Sequence, residues 1–107
     1  MTREEAEAII EAISRGDAEP WQTTHFQEDL SAQGYQMADA KAILRSHRLE
    51  RAPVWDAQYQ DFKVYLRGKC VTRGRPTCLI LGLRSEGPHS YISIHRVANP
   101  SRKTPRR

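Results

Sequence analysis

Apolar residues recur at helical spacing in three segments of the first half of the chain. Thr2 and Glu5 have the spacing of a capping box and predict the start of a first helix. Two further helices are predicted over about residues 25–33 and 37–46. The apolar faces of the three helices are formed by Ala6, Ile9, Ile10 and Ile13, by Phe26 and Leu30, and by Met37, Ala40, Ile43 and Leu44. Trp21, in the first connection, is expected to anchor the chain onto the core.

After Pro53 the helical period gives way to the alternation that is typical of strands. Residues 54–55 predict a short strand and residues 61–69 a longer one. Residues 77–83 are nearly all apolar, as expected of a central strand, and residues 91–97 alternate again. The residues expected to point inward are Phe62, Val64, Leu66, Ile92 and Ile94, and those expected to point outward are Lys63, Tyr65, Arg67, Lys69, Tyr91, Ser93 and His95.

Short connections join the predicted strands, so consecutive strands are expected to be antiparallel neighbours. The predicted fold class is α+β, with N-terminal helices packed on one face of a four-stranded antiparallel sheet. Residues 1–97 are expected to form a single domain, because a chain of 107 residues has no room for two independent cores. Residues 98–107 hold two prolines and four basic residues and are expected to form a disordered basic tail.

Charge is unevenly distributed along the chain. The net charge is +4, but residues 1–50 carry five Lys and Arg against ten Asp and Glu, whereas residues 51–107 carry twelve against three. A basic half suits a partner with a phosphate backbone, although an ordinary solvated basic surface has the same composition. No targeting or membrane-spanning segment is found, and Cys70 with Cys78 makes no disulfide framework or zinc motif. A cytoplasmic protein without membrane or metal partners is therefore expected.

The outward positions of the predicted sheet bring together residue types that suit RNA. Cationic side chains fix phosphates, and Tyr65 is suited to stacking on a base or binding the backbone. The strands that carry Lys63–Lys69 and Tyr91–His95 would lie about 10 Å apart across the central strand, a distance that an RNA phosphate bridges. His95 is an acid or base candidate, because histidine exchanges protons near neutral pH. The alternative is that these residues are simply the solvent face of a half-buried sheet.

His25 lies at the start of the second predicted helix, followed by Glu28 and Asp29, which could orient it. A histidine in this position is most often a surface or capping residue. The functional alternative requires it to lie near the edge of the sheet, where it would contact a phosphate or transfer a proton. Arg75 and Arg84, in or beside turns, could also hold phosphates.

A loose pattern of motifs resembles a known superfamily. It comprises His25-Phe26 with Asp29, Gly34-Tyr35, Asp39 and Ile43-Leu44, then residues 63–68, then Arg75 with residues 78–83, and finally residues 91–97. Over about residues 23–97 the chain resembles small bacterial domains related to the RelE/ParE-like toxins, including the BrnT and MqsR types. The chain differs from the RelE kind in lacking a clear C-terminal catalytic tyrosine or lysine, since it ends in two arginines.

The resemblance implies a helix-plus-antiparallel-sheet fold and a metal-independent endoribonuclease that acts on mRNA without a cofactor. In such enzymes the RNA 2′-hydroxyl attacks, so the protein supplies an acid, a base and cations. The roles implied for this chain are acid or base for His25 and His95, charge stabilisation for Lys63, Arg67 and Arg75, and RNA binding or positioning for Tyr65, Lys69, Arg75 and Ser93.

The resemblance also implies a protein partner, an antitoxin that covers the basic half. Two other functions use the same surface. One is a non-catalytic RNA- or DNA-binding module, and the other is a protein-interaction domain that binds an acidic protein.

Overall fold

The computed structural model describes residues 1–69 and 76–97, which form three helices and six strands. Their bounds are α1 (Arg3–Arg15), β1 (Trp21–Gln22), α2 (Thr24–Gln33), α3 (Met37–Ser46), β2 (Arg48–Leu49), β3 (Val54–Asp56), β4 (Asp61–Lys69), β5 (Pro76–Leu83) and β6 (Ser90–Arg96). The predicted α+β class is confirmed. Arg75, Cys70 and the predicted tail lie outside the described residues. No helix within the described ranges is long and apolar enough to cross a membrane.

The sheet is larger and more mixed than predicted. Its strand order is β1-β6-β5-β4-β2, and β3 also pairs with β4. The prediction of four antiparallel strands is wrong, because β1 runs parallel to β6 and β2 adds a further short strand. Each of these two strands has only two residues, which is too short to show alternation in a sequence. The central antiparallel β4-β5-β6 arrangement is as predicted.

The three helices lie on one side of this sheet and supply most of the core. The helix α3 packs on β4 and β5, α1 packs on α3, and α2 packs against β6. The predicted capping box is present at the start of α1, where the Glu5 amide donates to the Thr2 hydroxyl over 3.1 Å. The buried side chains from the sheet include Val64, Leu66, Leu79, Leu81, Leu83 and Ile94. None of the described helices covers the opposite side of β4, β5 and β6, which we call the open face.

A β-bulge in β6 changes which side chains reach the open face. Leu81 pairs with Tyr91, but the preceding Ile80 pairs with Ser93, so Ile92 is an extra residue. The predicted orientations of Tyr91 and Ile92 are therefore wrong. Tyr91 is fully buried and stacks on Phe26 with ring centroids 4.9 Å apart.

The helix α2 closes the outer edge of β6 with side-chain hydrogen bonds. The Ile94 amide donates to Asp29 over 3.2 Å, and the Arg96 amide donates to the Gln33 side chain over 3.3 Å. Gln33 also donates to the Ile94 carbonyl over 3.4 Å. These bonds satisfy edge groups that would otherwise lack partners and hold the side chains of α2 beside the open face.

Candidate functional site

The open face carries most of the predicted outward residues, Tyr91 excepted, in adjacent rows. One row across β5 joins Arg67 to His95, and the neighbouring row joins Tyr65 to Ser93. The predicted side-chain orientations are therefore correct along β4, and along β6 from Ser93 onward. The structure brings together four of the residues predicted for RNA binding or catalysis.

A chain of polar side chains connects the two candidate histidines. The Ser93 hydroxyl donates to Asp29 Oδ2 over 2.6 Å and lies 3.4 Å from His95 Nδ1. On the other side, His25 Nε2 lies 3.4 Å from the same Asp29 oxygen. We call this arrangement the His25–His95 chain. It links α2 to β6 and places His25, whose side chain is 64% exposed, near the sheet edge, as the functional interpretation of that residue requires.

This arrangement suits proton transfer. A carboxylate close to one ring nitrogen favours the proton on that nitrogen, which leaves the other ring nitrogen as a base. Asp29 is itself held by the Ser93 hydroxyl and the Ile94 amide. His25 and His95 are thus oriented through groups that the fold keeps in place.

Lys63, predicted to stabilise a phosphate, is bound by two carboxylates. Its ammonium donates to Asp61 over 2.6 Å and lies 3.1 Å from Asp56. Burial alone would lower the pKa of Lys63, but the hydrogen bonds and charges of Asp61 and Asp56 raise it overall. The Lys63 hydrogen bond lowers the pKa of Asp56 in turn. Lys63 remains charged, yet much of its field is neutralised locally.

The other predicted cations of β4 differ in their surroundings. Arg67 pairs with Glu50 over 2.7 Å, and the Arg51 guanidinium lies 4.4 Å from the centre of the Tyr65 ring. Tyr65 therefore already has a cation on its ring. Lys69 is exposed at the end of β4 and forms no ion pair with a described residue.

Beside the polar chain the open face contains a cleft of about 350 Å³. It is lined by Trp21, Thr23, His25, Tyr59, Asp61, Lys63, Arg84, Pro88, Ser90 and Ile92. Trp21 was expected to anchor the chain in the core, but it is 56% exposed and forms part of the cleft instead. The expectation fails because β1 places Trp21 at the edge of the sheet, outside the helix layer.

Arg84 is the cation of the cleft with the fewest charge partners. Its guanidinium donates to the Tyr59 carbonyl over 3.0 Å and to the Gln60 carbonyl over 3.3 Å. Among the described residues it pairs with no carboxylate. These bonds hold the β3–β4 loop, and the positive charge remains available to an anion in the cleft.

The cleft residues Trp21, Tyr59 and Asp61 carried no functional signal in the sequence. Trp21 and Tyr59 are far apart in the chain, so the sequence gives no sign that they share a cleft. Trp21 reaches the cleft only because β1 pairs with β6.

No three His, Cys, Asp or Glu side chains of the described ranges come together in a way that could hold a metal ion. No family model, curated protein or solved structure matches the chain. The functional assignment therefore depends on the geometry of the site.

Proposed function

We propose that the protein is a metal-independent endoribonuclease that cuts single-stranded mRNA and acts as the toxin of a bacterial toxin–antitoxin pair. The observation that carries the proposal is the His25–His95 chain, in which Asp29 and Ser93 hold two histidines on the open face beside a cleft. Two oriented histidines can supply the base and the acid that cleavage of RNA by its own 2′-hydroxyl requires.

The reaction assigns one histidine to each proton. His25, at the cleft, removes the proton from the 2′-hydroxyl as its oxygen bonds to the adjacent phosphorus. The bond from phosphorus to the 5′-oxygen breaks, and His95 donates a proton to that oxygen. The products are a 2′,3′-cyclic phosphate and a 5′-hydroxyl. Arg84, whose guanidinium has no carboxylate partner among the described residues, binds a neighbouring phosphate of the RNA at the cleft.

The proposal includes a RelE-like fold and a cytoplasmic location. The helices on one side of the sheet and the open face on the other support the fold assignment, whereas the parallel β1 strand is a departure from an all-antiparallel sheet. An antitoxin with an acidic segment would cover the open face and the basic half of the chain.

Cleavage is tested with purified protein and a labelled single-stranded RNA in the presence of EDTA. We expect cyclic-phosphate products, and a loss of roughly a hundredfold or more in rate for His25→Gln and for His95→Gln. His47→Gln is the matched control, since His47 pairs with Glu7 on the helix side of the molecule. Intact RNA with folded wild-type protein, or equal rates for all three variants, contradicts the proposal.

The toxin role has its own test. Induced expression of the wild type should arrest growth, and the His95→Gln variant at the same protein level should not. Growth that is unaffected by the wild type would remove the toxin assignment even if RNA is cut in vitro.

A non-catalytic RNA-binding module is the second candidate function. It is favoured by the carboxylate partners of Lys63 and Arg67, which reduce the charge available to a transition state. This alternative predicts RNA binding that weakens as salt is raised, with no cleavage under any condition.

A further inference from the structure

The cleft has two aromatic walls at its mouth. Trp21 comes from β1 and Tyr59 from the β3–β4 loop, and their residues are 56% and 57% exposed. Two large aromatic residues this exposed line one cleft, and flat rings stack well on such side chains. The mouth therefore suits a planar aromatic ligand.

The floor of the same cleft is polar and closely built. Asp61 and Ser90 are 5% and 6% exposed, and Lys63 donates to Asp61 over 2.6 Å. Gly82 lies between them on β5, where an added Cβ would be 2.4 Å from Asp61 Oδ2 and 2.9 Å from the Ser90 hydroxyl. The absence of a side chain at Gly82 thus lets the carboxylate lie across β5, so the floor is a fixed feature of the fold.

The floor offers an acceptor beside a donor. The Asp61 carboxylate retains lone pairs beyond the one that Lys63 uses. The Lys63 ammonium uses N–H groups on Asp61 and Asp56 and also lies 5.1 Å from the centre of the Tyr59 ring, so at most one N–H is left for a ligand. A ligand that fits both must present adjacent donors to the carboxylate and an acceptor to the ammonium.

We propose that the cleft binds the guanine base of single-stranded RNA. Guanine stacks between Trp21 and Tyr59, its N1–H and N2–H groups donate to Asp61, and its O6 accepts from Lys63. Adenine presents an unprotonated N1 to the carboxylate and is disfavoured. Uracil and cytosine are smaller and present no adjacent pair of donors.

This inference rests on the proposed function for its connection to catalysis. His25 and Arg84 line the same cleft as the aromatic walls. A guanine bound in the cleft places its ribose and 3′-phosphate at His25, and Arg84 is available to a neighbouring phosphate. The protein would therefore cut RNA on the 3′ side of guanine.

Binding is measured with guanosine, adenosine, cytidine and uridine 3′-monophosphates, using Trp21 fluorescence in a Trp55→Phe background. We expect the guanosine compound to bind about tenfold more tightly than the adenosine compound, since a bidentate contact to a base edge discriminates by roughly this factor. Asp61→Asn should abolish the preference. The matched control is Asp56→Asn, which removes the other carboxylate partner of Lys63 but does not line the cleft.

Equal affinity for the four compounds, or a guanine preference that persists in Asp61→Asn, overturns the inference. If circular dichroism shows that Asp61→Asn is unfolded, Tyr59→Ala replaces it, because Tyr59 is exposed and its loss should weaken guanosine binding about tenfold. Unchanged binding in Tyr59→Ala also overturns the inference.

An adenosine oligonucleotide with a single guanosine separates RNA from free nucleotide as the source of the base. Binding of the oligonucleotide at least as tight as that of the mononucleotide is expected, and exclusion of the oligonucleotide contradicts RNA as the ligand. Guanosine binding without RNA cleavage would remove the endoribonuclease proposal and leave the guanine site. Cleavage without guanine preference would remove the guanine site and leave the endoribonuclease proposal.

Discussion

The two faces of the sheet are built from the same strands but have opposite chemistry. Toward the helices, β4, β5 and β6 contribute apolar side chains that are almost fully buried. Toward the open face, the alternate positions hold ion pairs, hydrogen-bonded hydroxyls and histidines. Neighbouring residues of one strand therefore lie in different environments, an apolar core toward the helices and a network of polar contacts on the open face.

The largest effect is expected on the helix face. Leu81→Ala removes a fully buried side chain and leaves a cavity, which should lower the free energy of unfolding by about 2–5 kcal/mol. The adjacent Ile80→Ala, on the half-buried open face, should cost clearly less. Urea unfolding measures both. Equal losses for the two variants would contradict the division between the faces.

The charged floor of the cleft is an expected exception to this division, because Lys63 lies on the open face and yet contributes to stability. Lys63→Met leaves Asp61 buried without its cation, so it should lower stability by about 3 kcal/mol at neutral pH. Lys63 lowers the pKa of Asp56, so the share of stability that comes from the Lys63–Asp56 pair is present above pH 3.8, the ordinary value, and is lost as the pH falls through the lower folded value. The difference between wild type and variant should therefore shrink in acid. A difference that grows as the pH falls would refute this account.

Gly82→Ala tests the same floor through packing. The added Cβ would be 2.4 Å from the Asp61 carboxylate, so the floor must shift at a cost of about 1–3 kcal/mol. Gly68→Ala is the matched control, since its Cβ would lie 3.4 Å from Ile43, an accommodating distance. In thermal unfolding Gly82→Ala should be the less stable of the two variants. The opposite ranking would show that Asp61 and Ser90 move aside at little cost.

The smallest effect is expected at His89, at the end of the β5–β6 loop. Burial lowers the pKa of His89 below its ordinary value of 6.5, so the folded state favours the neutral ring. The neutral His89 ring costs the folded state no stability above pH 6.5. As the pH falls below 6.5 and through the lower pKa of the folded state, the free energy of unfolding declines. His89→Gln should remove that decline, as seen in melting temperatures across the acid range. A decline of the same size in His89→Gln would assign it to other groups.

The sequence predicts the regular parts of the fold because those parts repeat. The period of α1 and the alternation of β4 correctly place Ile10 and Val64 in the core. Alternation fails at Tyr91 because a bulge is a single added residue with no periodic signal. It also misses β1, so it cannot place Trp21.

The sequence does not reveal which distant residues form ion pairs with the site residues. The structure brings His25, Ser93 and His95 together, and Asp29, which the sequence indicates as a residue that could orient His25, lies between them. The partners of the cations are not predicted, because Asp56 and Glu50 lie in other elements and reach β4 only through the sheet register. Charge counted along a chain therefore overstates the free positive charge on the folded surface.

The bulge at Ile92 also indicates that β6 can gain or lose one residue at this position. Leu81 pairs with Tyr91 and Ile80 with Ser93, so deleting Ile92 would close the ladder and leave both neighbours on their present faces. The side chain that would be lost is one that lines the cleft. Insertion of one residue into a hairpin of regular length thus adds a side chain to the cleft without changing the faces of the residues on either side.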